Sequence, residues 1–353
     1  MNYAESLLLQ AERLLDERQL AEAMQAFHRA EQHGADADRC SAGRWMAGML
    51  LGRFESAWRE SDAIRRRCAP DPHRMWNGEN VDGRAVMVRC LHGFGDAVQF
   101  LRYIPLLRQR ASRVTVQAAP QLVELAECME GIDRVISWNT QERTEPDDWD
   151  VQIEVTELPY FFRTEVHDLP IATRYIHLPQ AMLRSAARHF PAFDGMRVGI
   201  VWSCGEWNLS RSIPLKALRP VLAESRIEFW NLQGGPARKE WQHATRAGNL
   251  RDAPEFCADA GLLPLACFMA QLDLVITVDT LAAHLGGALG VPTWVLLRYN
   301  ADWRWMVGRS DSPWYPTLRL FRQDRNRDWA EVVSRVRGEL ELLIAARTEE
   351  KAA

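Results

Sequence analysis

The spacing of hydrophobic and polar positions divides the chain into a helical part and an alternating part. In residues 1–67 the apolar side chains recur every three or four positions, as in amphipathic helices. From residue 84 onward, short apolar runs typical of buried parallel strands alternate with helical patterns. This alternation stops near residue 190 and begins again at Arg197, so it predicts two Rossmann-like domains with a cleft between them.

The predicted fold class is therefore α/β, with two Rossmann-like domains preceded by a short all-α region. The predicted strands begin at Ala85, Arg113, Arg134, Asp150, Arg197, Ile227, Leu274 and Thr293. The predicted parts are helical repeats in 1–67, a linker rich in proline and glycine in 68–83, a first domain in 84–190, a second domain in 191–325 and a closing helix in 326–347.

The N-terminal region contains two helical hairpins that resemble each other at a fixed interval. Residues 20–23 (Leu-Ala-Glu-Ala) match residues 54–57 (Phe-Glu-Ser-Ala) at an offset of 34, the period of tetratricopeptide repeats. Two unrelated amphipathic hairpins are the alternative. Two repeats are too few to bury their apolar faces alone, so we expect them to dock on the first Rossmann-like domain. The expected docking side chains are Leu50, Leu51, Phe54 and Trp58.

Composition and charge narrow the class of protein. The chain has 353 residues and a net charge of −4, which argues against a nucleic-acid-binding protein that works through overall charge. No apolar run has the length of a membrane span, and the N-terminus lacks a signal-peptide pattern. The seven cysteines form no C-x-x-C pair, which suits reduced thiols. We therefore expect a cytoplasmic protein without a zinc site.

The first strand of the first domain leads into a glycine turn with a carboxylate, residues 92–96 (His-Gly-Phe-Gly-Asp). Gly93 and Gly95 supply the first two glycines of a dinucleotide-binding fingerprint, but Val98 occupies the place of the third. No Lys-Ser or Lys-Thr follows, so the turn is not a P-loop. Either the glycines only allow the bend, or the turn presents backbone N–H groups and Asp96 to a ligand.

A second strand, turn and helix pattern covers residues 272–297. Asp279 and Thr280 lie where the strand gives way to the helix. There they either cap the helix or lie beside N–H groups that favour an anion such as a diphosphate. His284 follows one turn later. The alternative is a capped core helix with an ordinary buried histidine.

Three separated blocks carry a family resemblance. Residues 92–103 are close to G-x-G-D-x-x-Q-F-x-R-Y, and residues 278–292 are close to V-D-T-x-x-A-H-L-A-G-A-L-G-x-P. The third block joins residues 302–306 with residues 311–323. Over residues 70–346 the chain resembles the family-9 glycosyltransferases, the ADP-heptose heptosyltransferase relatives. More closely, it resembles the bacterial proteins in which tetratricopeptide repeats precede such a domain.

The resemblance implies a GT-B architecture, in which the second domain binds a nucleotide-sugar donor and the first faces the acceptor. It implies a final helix that crosses back to the first domain. It also implies inverting transfer without a metal ion or cofactor. By family position Asp96 is the candidate general base, and His92 is the other candidate.

The donor is expected to lie against polar side chains of the second domain. Arg211 with Ser212 could clamp a phosphate, and Thr280 could hold one beside the helix N-terminus. Glu206 and Trp207 depart from the polar stretch that relatives commonly have there, and Gly234 stands where relatives often carry lysine. One phosphate-binding cation is therefore expected to be missing. The predicted donor-binding residues are Gly93, Gly95, Ser203, Arg211, Ser212, Gln233, Asp279, Thr280 and His284.

Three functions stay open at this point. The leading one is an inverting glycosyltransferase that uses a nucleotide sugar and an unidentified acceptor, either a protein or a cell-surface glycan. The repeats favour a protein acceptor or partner, because such repeats present binding faces. The second is a catalytically silent GT-B domain that acts with its repeats as a binding or scaffold module, as the altered positions at 204–210 and 234 suggest. The third is a GT-B epimerase or a dehydrogenase, and the missing third glycine weighs against the dehydrogenase.

Overall fold

The computed structural model describes residues 2–68, 75–138, 148–170, 174–244 and 249–352, so residues 69–74 of the predicted linker lie outside it. The chain begins with four helices, each packed against the next. They are α1 (Tyr3–Asp16), α2 (Leu20–Gln32), α3 (Ala37–Leu50) and α4 (Phe54–Arg67).

These four helices repeat at the interval that the sequence predicts. Helix α4 begins 34 residues after α2, and α3 begins 34 residues after α1. The turn inside each pair contains a residue with positive φ, Arg18 at 60° and Gly52 at 71°. Asn2 and Asp36 cap the first helix of each pair by accepting a backbone N–H at 2.8 Å. The membership of these hairpins in the tetratricopeptide class stays a prediction.

The first α/β domain has a four-stranded parallel sheet in the order β3-β2-β1-β4. Its central strand pairs on both sides, with Val86 opposite Val114 in β2 and Val151 in β4. The strands are β1 (Ala85–Arg89), β2 (Arg113–Ala118), β3 (Arg134–Ser137) and β4 (Val151–Glu154). The helices are α5 (Phe94–Phe100), α6 (Ile104–Arg110), α7 (Pro120–Ala126), α8 (Leu158–Phe161) and α9 (Gln180–Ala187).

The second α/β domain has a six-stranded parallel sheet in the order β10-β9-β8-β5-β6-β7, which is the strand order of the dinucleotide-binding Rossmann fold. The strands are β5 (Met196–Val201), β6 (Ile227–Asn231), β7 (Leu250–Asp252), β8 (Leu274–Val278), β9 (Thr293–Leu297) and β10 (Leu318–Arg322). The helices are α10 (Arg219–Leu222), α11 (Lys239–Ala244), α12 (Leu262–Met269), α13 (Leu281–Leu289) and α14 (Trp329–Ala352).

In each sheet the strand order reverses beside the first strand, between β1 and β4 and between β5 and β8. Open α/β sheets bind ligands outside the carboxyl ends of the strands at such switch points. The two domains meet through helix α5 on helix α13 and through α12 on α7 and α9. Arg102 reinforces this contact, because its buried guanidinium donates to the carbonyl of Trp314 at 2.5 Å.

The closing helix α14 differs from what the family resemblance implied. Its buried side chains include Val332, Val336 and Leu340, and they pack in one hydrophobic cluster with strands of the second sheet. Arg347 extends this attachment by donating to Asp273 at 2.7 Å. The expectation that this helix crosses back to the first domain is therefore wrong, because its apolar stripe is already covered by the second sheet.

The N-terminal helices dock on both α/β domains, whereas the sequence analysis expected the first alone. Trp58 donates its indole N–H to the carbonyl of Thr164 in the first domain at 2.8 Å. Phe54 packs against the rings of Trp303 and Trp314, which follow strand β9 of the second domain. The carbonyl of Leu50 accepts from the N–H of Val307 at 3.0 Å. Of the four expected docking side chains, Leu51 alone is only half-buried.

Two absences concern only the part of the chain that the structure describes. In those ranges no helix is both long enough and apolar enough to span a bilayer. The same ranges contain no group of three or more His, Cys, Asp or Glu side chains arranged to hold a metal ion.

Candidate active site

A cleft of about 1970 Å³ lies between the two α/β domains and is walled on one side by helix α4. The carboxyl ends of β1, β5 and β8 open into it, at the switch points of both sheets. The predicted site residues that line it are His92, Gly93, Gly95, Asp96, Ser203, Arg211, Gln233, Asp279, Thr280 and His284. Ser212 is the exception, since it lies one layer behind the cleft surface.

Asp96 lies in the first turn of α5 and is paired with a cation from the other domain. Its Oδ1 accepts from Nη2 of Arg304 at 2.6 Å, and its Oδ2 accepts from the backbone N–H of Gly93 at 3.2 Å. The second bond forms half of a capping box that fixes the start of the helix. The side chain of Asp96 is 28% exposed, so a substrate hydroxyl can reach it.

Arg304 is almost fully buried between two carboxylates and two aromatic rings. Its Nη1 donates to Oδ1 of Asp302 at 2.8 Å. The guanidinium lies 4.7 Å from the ring centre of Trp303 and 5.2 Å from that of Phe100. Burial opposes the charge of Arg304, but Asp302 and Asp96 outweigh it and hold its pKa above the ordinary value. The arginine is therefore a permanent cation inside the cleft.

His92, the alternative base, lies at the rim of the cleft. Its side chain is 59% exposed, and its Nε2 is 3.9 Å from Oε1 of the buried Glu154. Glu154 ends strand β4 and accepts from the backbone N–H of Thr156 at 2.6 Å. His92 is thus nearer to solvent than Asp96, and its nearest acidic neighbour belongs to the same domain.

Gly95 and His284 form a close contact between helices α5 and α13. A Cβ on Gly95 would lie 2.8 Å from Cδ2 of His284, so glycine is required for this approach. The imidazole stacks on Trp305 and shares a hydrogen bond of 3.1 Å between its Nδ1 and the hydroxyl of Tyr315. Burial, assisted by the charge of Arg304, lowers the pKa of His284 to about 3. His284 is therefore neutral and contributes packing to the site.

The N-terminus of α13 faces the cleft, and Thr280 caps it. The hydroxyl of Thr280 accepts from the N–H of Ala282 at 3.3 Å, so the capping role that the sequence left open between Asp279 and Thr280 belongs to Thr280. Asp279 instead places Oδ2 at 3.4 Å from Nη1 of Arg211. Burial and the nearby charge of Asp302 raise the pKa of Asp279 despite this pairing.

The loop after β5 is fixed by side-chain hydrogen bonds to its backbone. Oε1 of Gln233 accepts from the N–H of Ser203 at 2.9 Å, and Nε2 donates to the carbonyl of the same residue at 3.0 Å. The hydroxyl of Ser212 accepts from the N–H of Cys204 at 3.0 Å. Gln233 and Ser212 therefore support the loop that borders the predicted donor site, and Ser203 lies on its cleft side.

Three residues depart from the family pattern: Glu206, Trp207 and Gly234. The side chains of Glu206 and Trp207 lie outside the described residues. Gly234 lines the cleft, and a Cβ there would lie 3.0 Å from Oδ1 of Asp259. The other oxygen of Asp259 accepts from the N–H of Gly235 at 2.7 Å. The family pattern has a lysine at position 234, whereas here the backbone lies close to the carboxylate of Asp259.

The sequence analysis did not assign a role to Arg304 or Asp302, although both lie in the third family block. An arginine between two tryptophans in that block was the available signal. No pattern in the sequence indicated the aromatic wall on the far side of the cleft. There the guanidinium of Arg65 in α4 lies 4.4 Å from the ring centre of Trp76 and 4.8 Å from that of Tyr160.

Two parallel sheets that face a shared cleft, with the N-terminus of α13 at the cleft, define a GT-B-like α/β fold. The chain is similar to the structure of the Escherichia coli ADP-heptose LPS heptosyltransferase II, with a TM-score of 0.56 and 13% identity, over 75% of this chain and 99% of that one. It is also similar to the glycosyl transferase family 9 structure from Veillonella parvula DSM 2008. There the TM-score is 0.51 and the identity 14%, over 69% of this chain and 87% of that one. The fold is therefore family-9 glycosyltransferase-like, as the sequence predicts.

Comparison with curated sequences gives one further relative. The chain is 23% identical over 325 residues to Protein FlbA of Caulobacter vibrioides, across 82% of this chain and 52% of that protein. It thus spans about half the length of the curated relative it matches. No protein-family model matches the chain.

Proposed function

We propose that the protein is an inverting glycosyltransferase that moves a sugar from a nucleotide-diphosphate sugar to a hydroxyl of a protein or a cell-surface glycan, without a metal ion or cofactor. One observation carries the proposal. A helix N-terminus capped by Thr280 and the carboxylate of Asp96 belong to different domains and line one cleft. The first suits a diphosphate and the second suits the proton of an attacking hydroxyl.

The donor binds with its diphosphate against the N-terminus of α13. The helix dipole favours negative charge there, and Arg211 adds a cation beside Asp279. Gln233 and Ser212 act indirectly by holding the β5 loop, and Ser203 faces the donor. Arg304 supplies the second cation that a departing diphosphate needs.

In the transfer step, the acceptor hydroxyl gives its proton to a carboxylate oxygen of Asp96. The acceptor oxygen forms a bond to the anomeric carbon from the face opposite the diphosphate. The bond between that carbon and the diphosphate oxygen breaks, and its electron pair stays on the diphosphate. A single displacement of this kind inverts the anomeric centre.

A transfer assay on single variants tests the assignment of the base. Titration calorimetry with ADP-, UDP- and GDP-sugars first identifies a donor that binds. Asp96→Asn should then lower turnover by about a hundredfold or more, in line with the loss of a general base. His92→Ala is the matched control and should retain most of the turnover, because its imidazole lies at the exposed rim. The reverse pattern would move the base role to His92.

The second candidate is a silent GT-B domain that binds a nucleotide sugar without transferring it. Two observations favour it: Asp96 is already paired with Arg304, and Gly234, where the family resemblance implies a lysine, lies beside Asp259. Donor binding by the wild type without transfer to any acceptor in a broad panel of proteins and glycans would support this candidate. Measurable transfer would exclude it.

We further propose that the acceptor reaches Asp96 past helix α4 and is met in the cytoplasm. On that side of the cleft the acceptor meets Arg65, whose guanidinium lies over the buried rings of Trp76 and Tyr160. Phe54 and Trp58, which a protein partner could otherwise use, are buried within the chain. A protein acceptor would therefore meet the cleft side of α4 instead of the apolar side of the hairpin.

A further inference from the structure

The ion pair between Asp96 and Arg304 joins the two walls of the cleft across 208 residues of sequence. One oxygen of Asp96 accepts from Arg304 and the other from the N–H of Gly93. Each carboxylate oxygen can accept a second hydrogen bond, so these contacts leave Asp96 able to meet a substrate hydroxyl. The ion pair holds the guanidinium of Arg304 against the first domain.

Arg304 is the partner that can leave. The N–H of Gly93 belongs to the same capping box as Asp96, only three residues away, and the helix holds it in place. Arg304 reaches Asp96 with the end of a long side chain from the opposite domain. Its Nε is buried and has no hydrogen-bond partner among the residues that the structure describes. The guanidinium thus has an N–H available for a new acceptor.

A diphosphate on α13 would be such an acceptor. Arg304 lines the cleft together with Asp279 and Thr280, and its charge acts on Asp279 and on His284 in the first turns of that helix. Guanidinium pairs with phosphate in the same forked geometry that it uses with carboxylate. A diphosphate also carries more negative charge than the single carboxylate it would replace.

We propose that Arg304 exchanges the carboxylate of Asp96 for the diphosphate of the incoming donor, so that Asp96 and the donor compete for one guanidinium. Asp302 keeps its bond to Nη1, so the guanidinium turns around a fixed point while Nη2 changes partner. The proposal rests on the proposed function and adds to it a competition for Arg304 that limits donor affinity.

The test measures diphosphate affinity by titration calorimetry with ADP, UDP, GDP and inorganic pyrophosphate. In the wild type the diphosphate must displace Asp96, which lowers its apparent affinity. Asp96→Asn removes that competitor and should tighten binding by about tenfold. Arg304→Gln should weaken binding. In the double variant, Asp96→Asn should give no gain, because the arginine that it releases is gone.

Asp62→Asn is the matched control for charge alone. Asp62 lines the same cleft and pairs with Arg163 at 2.6 Å, so its neutralisation removes one negative charge without releasing Arg304. It should change the affinity by less than about twofold, since more distant charges are screened. The two single Asn variants can be compared with each other even if Arg304→Gln does not fold.

The outcomes separate the exchange from the proposed function. A gain in Asp62→Asn equal to that in Asp96→Asn, or a gain that persists in the double variant, would overturn the exchange and leave donor binding intact. Unchanged or weaker binding in Asp96→Asn would do the same. A complete lack of diphosphate binding in every variant would overturn the proposed function together with the exchange.

Discussion

Among single residues, Gly95 and His284 set how closely the two domains approach. The imidazole cannot move away from a side chain at position 95, because it stacks on Trp305 and is hydrogen-bonded to Tyr315. The glycine of the turn therefore allows this close contact between the helices, a role that the sequence did not indicate. Its predicted part in donor binding stays a prediction.

The buried neutral state of His284 predicts a pH dependence of stability. Its pKa is about 3 in the folded protein, whereas an unfolded chain binds the proton below about 6.5. Acidification from pH 7.5 to pH 5 therefore favours the unfolded state and should lower the free energy of unfolding by about 2 kcal/mol through this group. Urea unfolding at the two pH values measures the loss.

The matched reference is His284→Gln, which keeps a polar side chain but does not titrate. Its free energy of unfolding should fall less than that of the wild type over the same pH interval, by about the same 2 kcal/mol. Equal losses in the two proteins would mean that His284 is accessible to protons in the folded state.

For single residues, the sequence could indicate candidate functional side chains but not the residues with which they pair. Asp96, Asp279 and Thr280 were recognisable because each lies between a strand and a helix, where α/β folds bind ligands. The partner of Asp96 was not recognisable, because Arg304 lies 208 residues further along the chain. The choice between Asp279 and Thr280 as the helix cap needed the positions of both side chains relative to the N–H of Ala282.

Among the elements, the segment that follows β9 is held in position by contacts with neighbouring helices. It carries Asp302 and Arg304 into the cleft, yet only one short 3-10 turn, Trp303–Trp305, gives it regular structure. The N-terminal helices hold it from outside. Arg18 donates to the carbonyl of Ala301 at 2.8 Å, and Phe54 packs on Trp303. The helices thus support a part of the site that they do not themselves form.

Phe54→Ala tests this support. Loss of the buried ring should cost about 3–5 kcal/mol of stability. It should also weaken ADP or UDP binding at temperatures where the variant is still folded, because Trp303 loses a packing partner next to Arg304. Circular dichroism establishes the folded range, and titration calorimetry gives the affinity.

Phe27→Ala is the matched control, since Phe27 is equally buried but packs within the small core of the first three helices. It should reduce stability without changing the affinity of the folded protein. The same affinity in both variants would show that the segment after β9 keeps its position without the helices.

The elements themselves were largely predictable from the sequence. The predicted strand at residues 113–118 coincides with β2, because its apolar and polar residues alternate with the period of a strand. The edge strands β7 and β10 were missed, since charged residues interrupt both of them. The destination of α14 was not predictable, because an apolar stripe has the same pattern whichever sheet covers it.

For the whole molecule, the main hydrophobic core is continuous across the three parts of the chain. One cluster contains Phe54 of the helical region, Val88 and Leu101 of the first domain, and Leu285 and Trp303 of the second. A shared core couples the parts energetically, so none of them can unfold without exposing apolar surface on the others.

This continuity predicts one main calorimetric transition. Differential scanning calorimetry should give a single peak whose calorimetric and van't Hoff enthalpies agree, as in a two-state protein. Proteins with separate domains usually show several transitions. A distinct early transition, lost on deletion of residues 1–67 with the remaining peak unchanged, would show that the helical region is an independent unit.

The docking of the N-terminal helices on the segment between β9 and β10 also has a consequence for synthesis on the ribosome. Leu50, Phe54 and Trp58 emerge early, whereas Trp303 and Trp314 are translated some 250 residues later. At roughly 5–20 residues per second, the apolar side of the second hairpin waits for its cover for about 10–50 seconds. During that interval the nascent chain presents an amphipathic hairpin without its partner, so a chaperone or a rapid provisional contact with the first domain has to protect it until translation ends.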